Sequence, residues 1–272
     1  MKFIHLSDLH INTAKKDENK QLKPLYEHFI KRYNGGEKPA ILITGDLVDN
    51  GQADEYGPVE NFLHSLKEKG FELIVCPGNH DYGKGGIHYR DDSSKLFFKK
   101  IECGLLGYTG DACDMASLYP KVTPFDDDKV VFFGIDSLAG KMDNPGNLHL
   151  LADGEIGKKQ RNRLLDHLAK PQYDGHTKIV YLHNHPWELI PGHGLVDGLE
   201  FIREIDGQVD IICFGHMHAS HFWESREDMV AMNAGKTTAP INYRGSPYLT
   251  YREISVNHAG TAVGVIKVPA AK

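Results

Sequence analysis

The chain has 272 residues, 40% hydrophobic and 25% charged, with Lys+Arg 31 against Asp+Glu 37. These fractions exclude a disordered chain, a coiled coil and a collagen-like fibre, and the length allows one large α/β domain or two small ones. A net charge of -6 argues against a protein held to nucleic acid by bulk electrostatics, though an anionic substrate fits wherever positive charge is supplied locally.

Residues 1–8 read as a strand with polar interruptions and carry no basic leader or small-residue cleavage site. No segment reaches the roughly 18–20 unbroken apolar residues of a membrane span, so a cytoplasmic, membrane-free protein is the simplest expectation. Apolar runs recur at Phe3–Leu6, Ala40–Ile43, Glu72–Cys76, Val130–Ile135, Lys178–Leu182 and Val209–Phe214. Short runs bounded by Gly, Pro, Asp or Asn suit strands buried on both faces. Helical patterns lie between them. Leu22, Leu25, Tyr26, Phe29, Ile30 and Tyr33 share one helix face that ends at Gly35-Gly36. Phe62, Leu63 and Leu66 mark a second helix, Leu164, Leu165 and Leu168 a third, and Val196–Ile205 a fourth.

This alternation predicts an α/β layout. A single domain over 1–272 is expected, with a polar, irregular insertion or lid at about 82–124 broken by one apolar patch, Leu96–Ile101. In the tail, Val230–Asn233, Tyr248–Val256 and Ala262–Val268 read as consecutive antiparallel strands, with a turn at Asn257-His258-Ala259-Gly260. Cys76 and Cys213 sit in strand-like runs and read as reduced core residues, while a Cys103–Cys113 bridge is left open.

Sixteen histidines are the unusual count, and their placement is informative. The strand ends deliver, in order, Ser7-Asp8-Leu9-His10, Gly45-Asp46-Leu47-Val48-Asp49, Gly78-Asn79-His80-Asp81, His183-Asn184-His185 and Gly215-His216-Met217-His218. Five strands thus bring Asp, Asn or His to the carboxyl edge, where α/β sheets form ligand crevices. Each pair alone is commonly a turn or a helix cap. Together they make a structural explanation poor, because carboxylates and amides buried without partners are expensive. Mixed oxygen and imidazole donors without Cys suit a divalent transition ion, Mn, Fe, Zn, Co or Ni, and there are enough for two.

In this order the motifs resemble the calcineurin-like metallophosphoesterase family over residues 8–218, most similarly its bacterial cyclic-nucleotide and glycerophosphodiester phosphodiesterase branch. Gly157-x-x-Gln160 adds a softer likeness. The resemblance implies a four-layer α/β/β/α sandwich of two mixed sheets with flanking helices. It implies Asp8, His10 and His218 on one metal, Asn79, His183 and His216 on a second, and Asp46 bridging both. His80 would be the catalytic imidazole, oriented by a hydrogen bond to Asp49. The implied reaction is hydrolysis of a phosphodiester or phosphomonoester of a small molecule by hydroxide formed between the metals.

Asn79, His185 and His221 are candidate substrate contacts, and Tyr82, His88, Arg90, Trp187 and His193 stand beside them as loop residues that could line the pocket. His28, His64, His149, His167, His176 and His258 are assigned no role. Two competing readings follow from the same motifs. A DNA repair-type exonuclease would share the metal core, but no basic stripe accompanies it here. A non-catalytic scaffold would keep the fold, but such relatives tend to lose positions that are all filled in this chain.

Overall fold

The computed structural model describes residues 1–14, 16–109, 115–143, 151–187, 192–226, 229–257 and 260–271. Cys113, His149, His258 and Ala259 lie outside these residues. Strands β1 (Lys2–Leu6), β2 (Ala40–Thr44) and β3 (Leu73–Cys76) are parallel neighbours joined through helices α1 (Lys16–Arg32) and α2 (Ala53–Glu68). Short helices α3 (Asn79–Tyr82), α4 (Asp91–Phe97), α5 (Met115–Leu118) and α6 (Ala139–Met142) occupy the next stretch. A second sheet contains β4 (Lys121–Phe125), β5 (Val130–Gly134), β6 (Thr177–Tyr181), β7 (Ile211–Phe214), β8 (His221–Arg226) and β9 (Met229–Asn233). Its order is β4-β5-β6-β7-β9-β8, parallel from β5 to β9 and antiparallel at both edges. Helices α7 (Lys158–Leu168) and α8 (Gly198–Ile205) flank it. The tail strands β10 (Ile241–Tyr243), β11 (Ser246–Asn257) and β12 (Gly260–Pro269) return to the first sheet, with β11 antiparallel to β1.

Alternation along β5 fixes the layers. Val130 and Phe132 point into the main core, where the Phe132 ring meets Phe3 of β1 edge-on at 5.3 Å. Val131 and Phe133 point outward onto Leu164, Leu168, Phe201 and Ile205 of α7 and α8. Leu25, Phe29, Leu63 and Leu66 do the same for α1 and α2. Two mixed sheets with flanking helices are therefore observed as expected.

Two expectations need correction. Residues 91–105 are helical, not irregular: α4 continues into a π-helical stretch, Phe98–Leu105, that buries Phe97, Phe98, Ile101 and Leu105 in the main core. Its apolar residues are sparse and the polar remainder masks their spacing. Glu102, fully buried there, accepts hydrogen bonds from Tyr119 at 2.7 Å and Lys121 at 2.6 Å. In the tail, Val230–Asn233 does not join the β11–β12 hairpin; it pairs parallel with β7 in the other sheet. Apolarity identifies a strand but not its neighbour. Among the described residues no helix is long and apolar enough to cross a membrane.

Candidate metal centre

The carboxyl ends of β1, β2 and β3 in one sheet and of β6 and β7 in the other converge on one place. Main-chain bonds stitch the loops together: Asp8 N–H donates to Gly45 C=O at 3.1 Å and His10 N–H to Asp46 C=O at 2.9 Å. The two sheets are tied by His216 N–H, which donates to the Asp8 carboxylate at 3.2 Å. Gly78 is needed for close approach, because a Cβ there would lie 2.3 Å from Asp46 Oδ1.

Asp8, His10, Asp46 and His218 each place a donor atom within 4.8 Å of the others. His10 Nε2 lies 2.9 Å from His218 Nε2, 3.5 Å from Asp46 Oδ2 and 3.8 Å from Asp8 Oδ1. A second group shares the same Asp46 oxygen. His183 Nε2 is 3.2 Å from Asp46 Oδ2 and 2.9 Å from Asn79 Oδ1, while His216 Nδ1 is 3.0 Å from Asn79 Oδ1 and 3.3 Å from His183 Nε2. Donors bound at 2.0–2.1 Å to one ion stand roughly 3.0–3.4 Å apart in octahedral or tetrahedral arrangements, so both groups fit a divalent cation.

Proton accounting points the same way. His183 donates Nδ1–H to the Thr44 carbonyl at 2.7 Å, so in the neutral ring Nε2 presents only a lone pair. That lone pair faces the Asn79 Oδ1 lone pairs, since Asn79 is held the other way round by its Nδ2 donating to Gly86 C=O at 2.9 Å. His10 likewise donates Nδ1–H to Asp49 at 3.3 Å and turns Nε2 toward His218 and Asp46. Lone pairs converge in a buried site and require protons or cations between them.

The electrostatics agree. Burial works against charge on Asp46, yet His183, His80 and His10 hold its carboxyl well below the ordinary range. Burial likewise opposes ionising Asp8, but contact with His10 and the nearby His183 leaves it at about 2. Without cations the imidazoles compensate: His10 and His183 rise to about 10 and 9, the Asp49, Asp8 and Asp46 carboxylates outweighing burial. His216, buried beside His183, falls to about 3.

Backbone strain concentrates here too. Asp8, His10, Asp46, His216 and His218 all have left-handed φ, between 47° and 73°. Such conformations cost an L-residue roughly 1–2 kcal/mol each, and they persist where surrounding bonds over-determine them.

His80 stands over this cluster, its ring 4.4 Å from that of His10 and perpendicular to it. Its main-chain N–H donates to Asp46 Oδ1 at 2.8 Å. Its Nδ1 donates to the main-chain carbonyl of Asp49 at 2.8 Å, with the Asp49 carboxylate 3.6 Å away. The expected orienting bond is thus made by the backbone of Asp49, because its carboxylate is already engaged by His10 and by Asn12 Nδ2 at 2.8 Å.

His185 is outside the donor cluster and packs among Trp187, Phe214 and Trp223, with His221 stacked on Trp223. Tyr82 is buried and donates to Asp136 at 2.7 Å, Arg90 pairs with Asp92, and His88 is exposed. The His193 ring lies 6.5 Å from His216. The sequence pattern assigned no part to Asp81. Its carboxylate accepts N–H bonds from Gly78 at 2.9 Å, Leu47 at 3.1 Å and Val48 at 3.3 Å, locking the two central loops together. Gln160 braces the other sheet, accepting from Asp136 N–H at 2.9 Å.

Comparison with known proteins places this geometry. A probable cyclic nucleotide phosphodiesterase of Rhodococcus erythropolis is 27% identical over 228 residues, 80% of this chain and 64% of that protein. One component of the nuclease SbcCD of Escherichia coli K12 is 27% identical over 85 residues, 30% of this chain and 21% of that protein. The chain thus spans less than two thirds of either relative in the matched region. A dimetal phosphatase from Danio rerio shares the fold with a TM-score of 0.66 at 10% identity, over 100% of this chain and 99% of that one. The family model described as calcineurin-like phosphoesterase matches residues 1–220, and the chain belongs to that family.

Proposed function

We propose that the chain is a metal-dependent hydrolase that cleaves phosphodiester or phosphomonoester bonds of a small molecule, using two divalent transition-metal ions drawn from Mn, Fe, Zn, Co or Ni. The observation that carries this reading is Asp46 Oδ2, common to both donor groups at 3.5 Å from His10 and 3.2 Å from His183. Asp8, His10, His218 and Asp46 would hold one ion; Asn79, His183, His216 and Asp46 would hold the other. Bound there, divalent ions supply Lewis acidity toward phosphate oxygens and make water acidic enough to furnish a nucleophile near neutral pH.

The chain's own residues do the positioning. Thr44 and Asp49 hold the His183 and His10 rings so that Nε2 of each faces inward. His80 donates Nδ1–H to the Asp49 carbonyl, and in the doubly protonated ring Nε2 would carry the proton that passes to the departing alkoxide. Residues 83–89, at the start of the proposed 82–124 insertion, bring Gly86 against Asn79 and His80 and bound the site on that side. His185 and His221 lie in a neighbouring pocket suited to the rest of the ester. A small substrate is favoured over a nucleic-acid polymer by the charge of -6, despite the similarity to part of a nuclease. A cytoplasmic setting is in keeping with Cys76 and Cys213, both buried thiols.

A panel of phosphate monoesters and diesters, incubated with metal-reconstituted protein, tests the reading. Chelator-sensitive hydrolysis of at least one ester class is expected. A reconstituted sample inert toward the whole panel would refute it.

A further inference from the structure

We propose that a cavity beside the metal centre is a subsite for a planar heteroaromatic ring carried by the phosphate ester, of the kind a nucleobase presents. The link to the phosphate rests on the phosphoesterase reading above, whereas the chemistry of the cavity stands by itself. The cavity holds about 330 Å³, and its walls include His185, Trp187, Met217, His221, Trp223 and Asn233. The chain has two tryptophans, and both are here.

The walls are built from ring faces and edges. Trp223 stacks nearly parallel to Phe214, at 6.0 Å and 22°, and to His221, at 5.7 Å and 21°. His185 meets Phe214, Trp187 and Trp223 edge-on at 4.6, 6.3 and 6.0 Å. Such surfaces favour a flat π-system over a branched aliphatic group. Met217 adds a thioether, a flexible group that moulds to irregular shapes.

Simple core packing accounts for only half of this cluster. Trp187 and Phe214 belong to the core under α7 and α8, and His185 is 9% exposed. Trp223 is half-buried and His221 is exposed, so the rings grade from core to solvent. The cavity is a cleft open to solvent where the aromatic residues reach the surface, and a bicyclic ring fits its volume.

Its walls also continue the metal loops. Met217 lies between His216 and His218, and His185 two residues beyond His183. Asn233 Nδ2 donates to the Gly215 carbonyl at 2.8 Å, tying the far wall to the same loop. The cavity and the donor cluster are thus built on the same two loops, 183–185 and 215–218.

Because Trp187 and Trp223 are the two indoles of the chain, intrinsic tryptophan fluorescence reports on this cavity alone. The test titrates the metal-stripped chain with adenosine, then with ribose 5-phosphate, while hydrolysis is assayed separately on the reconstituted sample. Saturable quenching by adenosine but not by ribose 5-phosphate is expected, without any metal. Trp223→Ala should weaken adenosine binding roughly 5–100-fold, the range for losing one stacked aromatic partner. Trp223→Phe, which keeps a ring, should retain binding and change only the signal. In the reconstituted enzyme, Trp223→Ala should lower the kcat/KM ratio of an adenosine ester to the matching glycerol ester by a similar factor. If adenosine leaves the fluorescence unchanged while phosphate esters are hydrolysed, the subsite is refuted and the phosphoesterase reading survives. If adenosine binds but no ester is hydrolysed, the subsite stands and the catalytic reading fails.

Discussion

His80 donates its Nδ1 proton to the main-chain carbonyl of Asp49, 2.8 Å away, while the Asp49 carboxylate serves His10 and Asn12. One residue thus holds two histidines by two different groups, and substitution separates them. Asp49→Ala keeps the carbonyl and removes the carboxylate. Metal affinity should fall roughly 10–100-fold, as when a group behind a ligand is lost, with His80 still in place. His80→Ala should do the reverse, losing roughly 10²–10⁴-fold in turnover with metal content intact. That loss should shrink for nitrophenyl esters, whose leaving group departs without a proton. Metal content and turnover on paired good and poor leaving groups check both. Loss of metal in His80→Ala would make His80 a ligand.

Asp46→Asn should weaken both metal positions, because one carboxylate oxygen faces both donor groups. His218→Ala should weaken only the position it shares with Asp8 and His10. Calorimetric titration with Mn distinguishes them: two weakened binding events for the first variant, one for the second. Equal and small losses from both would remove the bridging role.

Gly86 combines a left-handed φ of +71° with no room for a side chain: a Cβ would lie 2.3 Å from Asn79 Nδ2 and 2.5 Å from His80 Nε2. Gly86→Ala should therefore lower stability by about 1–2 kcal/mol from the backbone alone. Turnover should fall further, on the order of 10²-fold, since displacement of about 1 Å at a reacting group costs that much. Thermal unfolding and turnover measured together test this. A stable, fully active variant would mean that the loop does not press on the site.

Legibility in the sequence differs from element to element. Runs such as Ala40–Ile43 and Val209–Phe214 were readable because a strand buried on both faces leaves a continuous apolar signature. That Asp8, His10, Asp46, Asn79, His183, His216 and His218 meet in one place is legible because the strands deliver their loops to one edge. Four things were not. The engagement of His80 by a carbonyl leaves no trace in residue type, and Asp81, a carboxylate serving three N–H groups, looks like any turn residue. The return of β9 to the second sheet depends on pairing, which apolarity does not encode. The aromatic cavity joins His185, Trp187, Met217, Ala219, His221, Trp223 and Asn233, too scattered to form a motif.

A pH effect on stability is expected away from the metal centre. Burial lifts the Asp136 carboxyl from 3.8 to about 6, against the pull of the Tyr82 hydroxyl and the Leu138 N–H. With the folded value above the unfolded one, the protonated form is favoured in the fold. Its contribution is complete below about pH 4 and is lost as the pH rises through 6. Asp136→Asn, uncharged and of the same shape, should flatten this dependence and raise stability at pH 7 by on the order of 2–3 kcal/mol. Unfolding followed from pH 4 to 7 tests it. Parallel profiles for variant and parent would show that Asp136 titrates elsewhere.

The most direct test of a shared two-metal centre is turnover of a phosphate ester as a chelated sample is titrated with Mn, activity being followed against equivalents of metal bound per chain. Activity should be absent at the start, stay low through the first equivalent and reach its plateau at two. Asp46→Asn should reach no plateau over the same range. Full activity at one equivalent, or none at two, would contradict a centre in which Asp46 serves two ions at once.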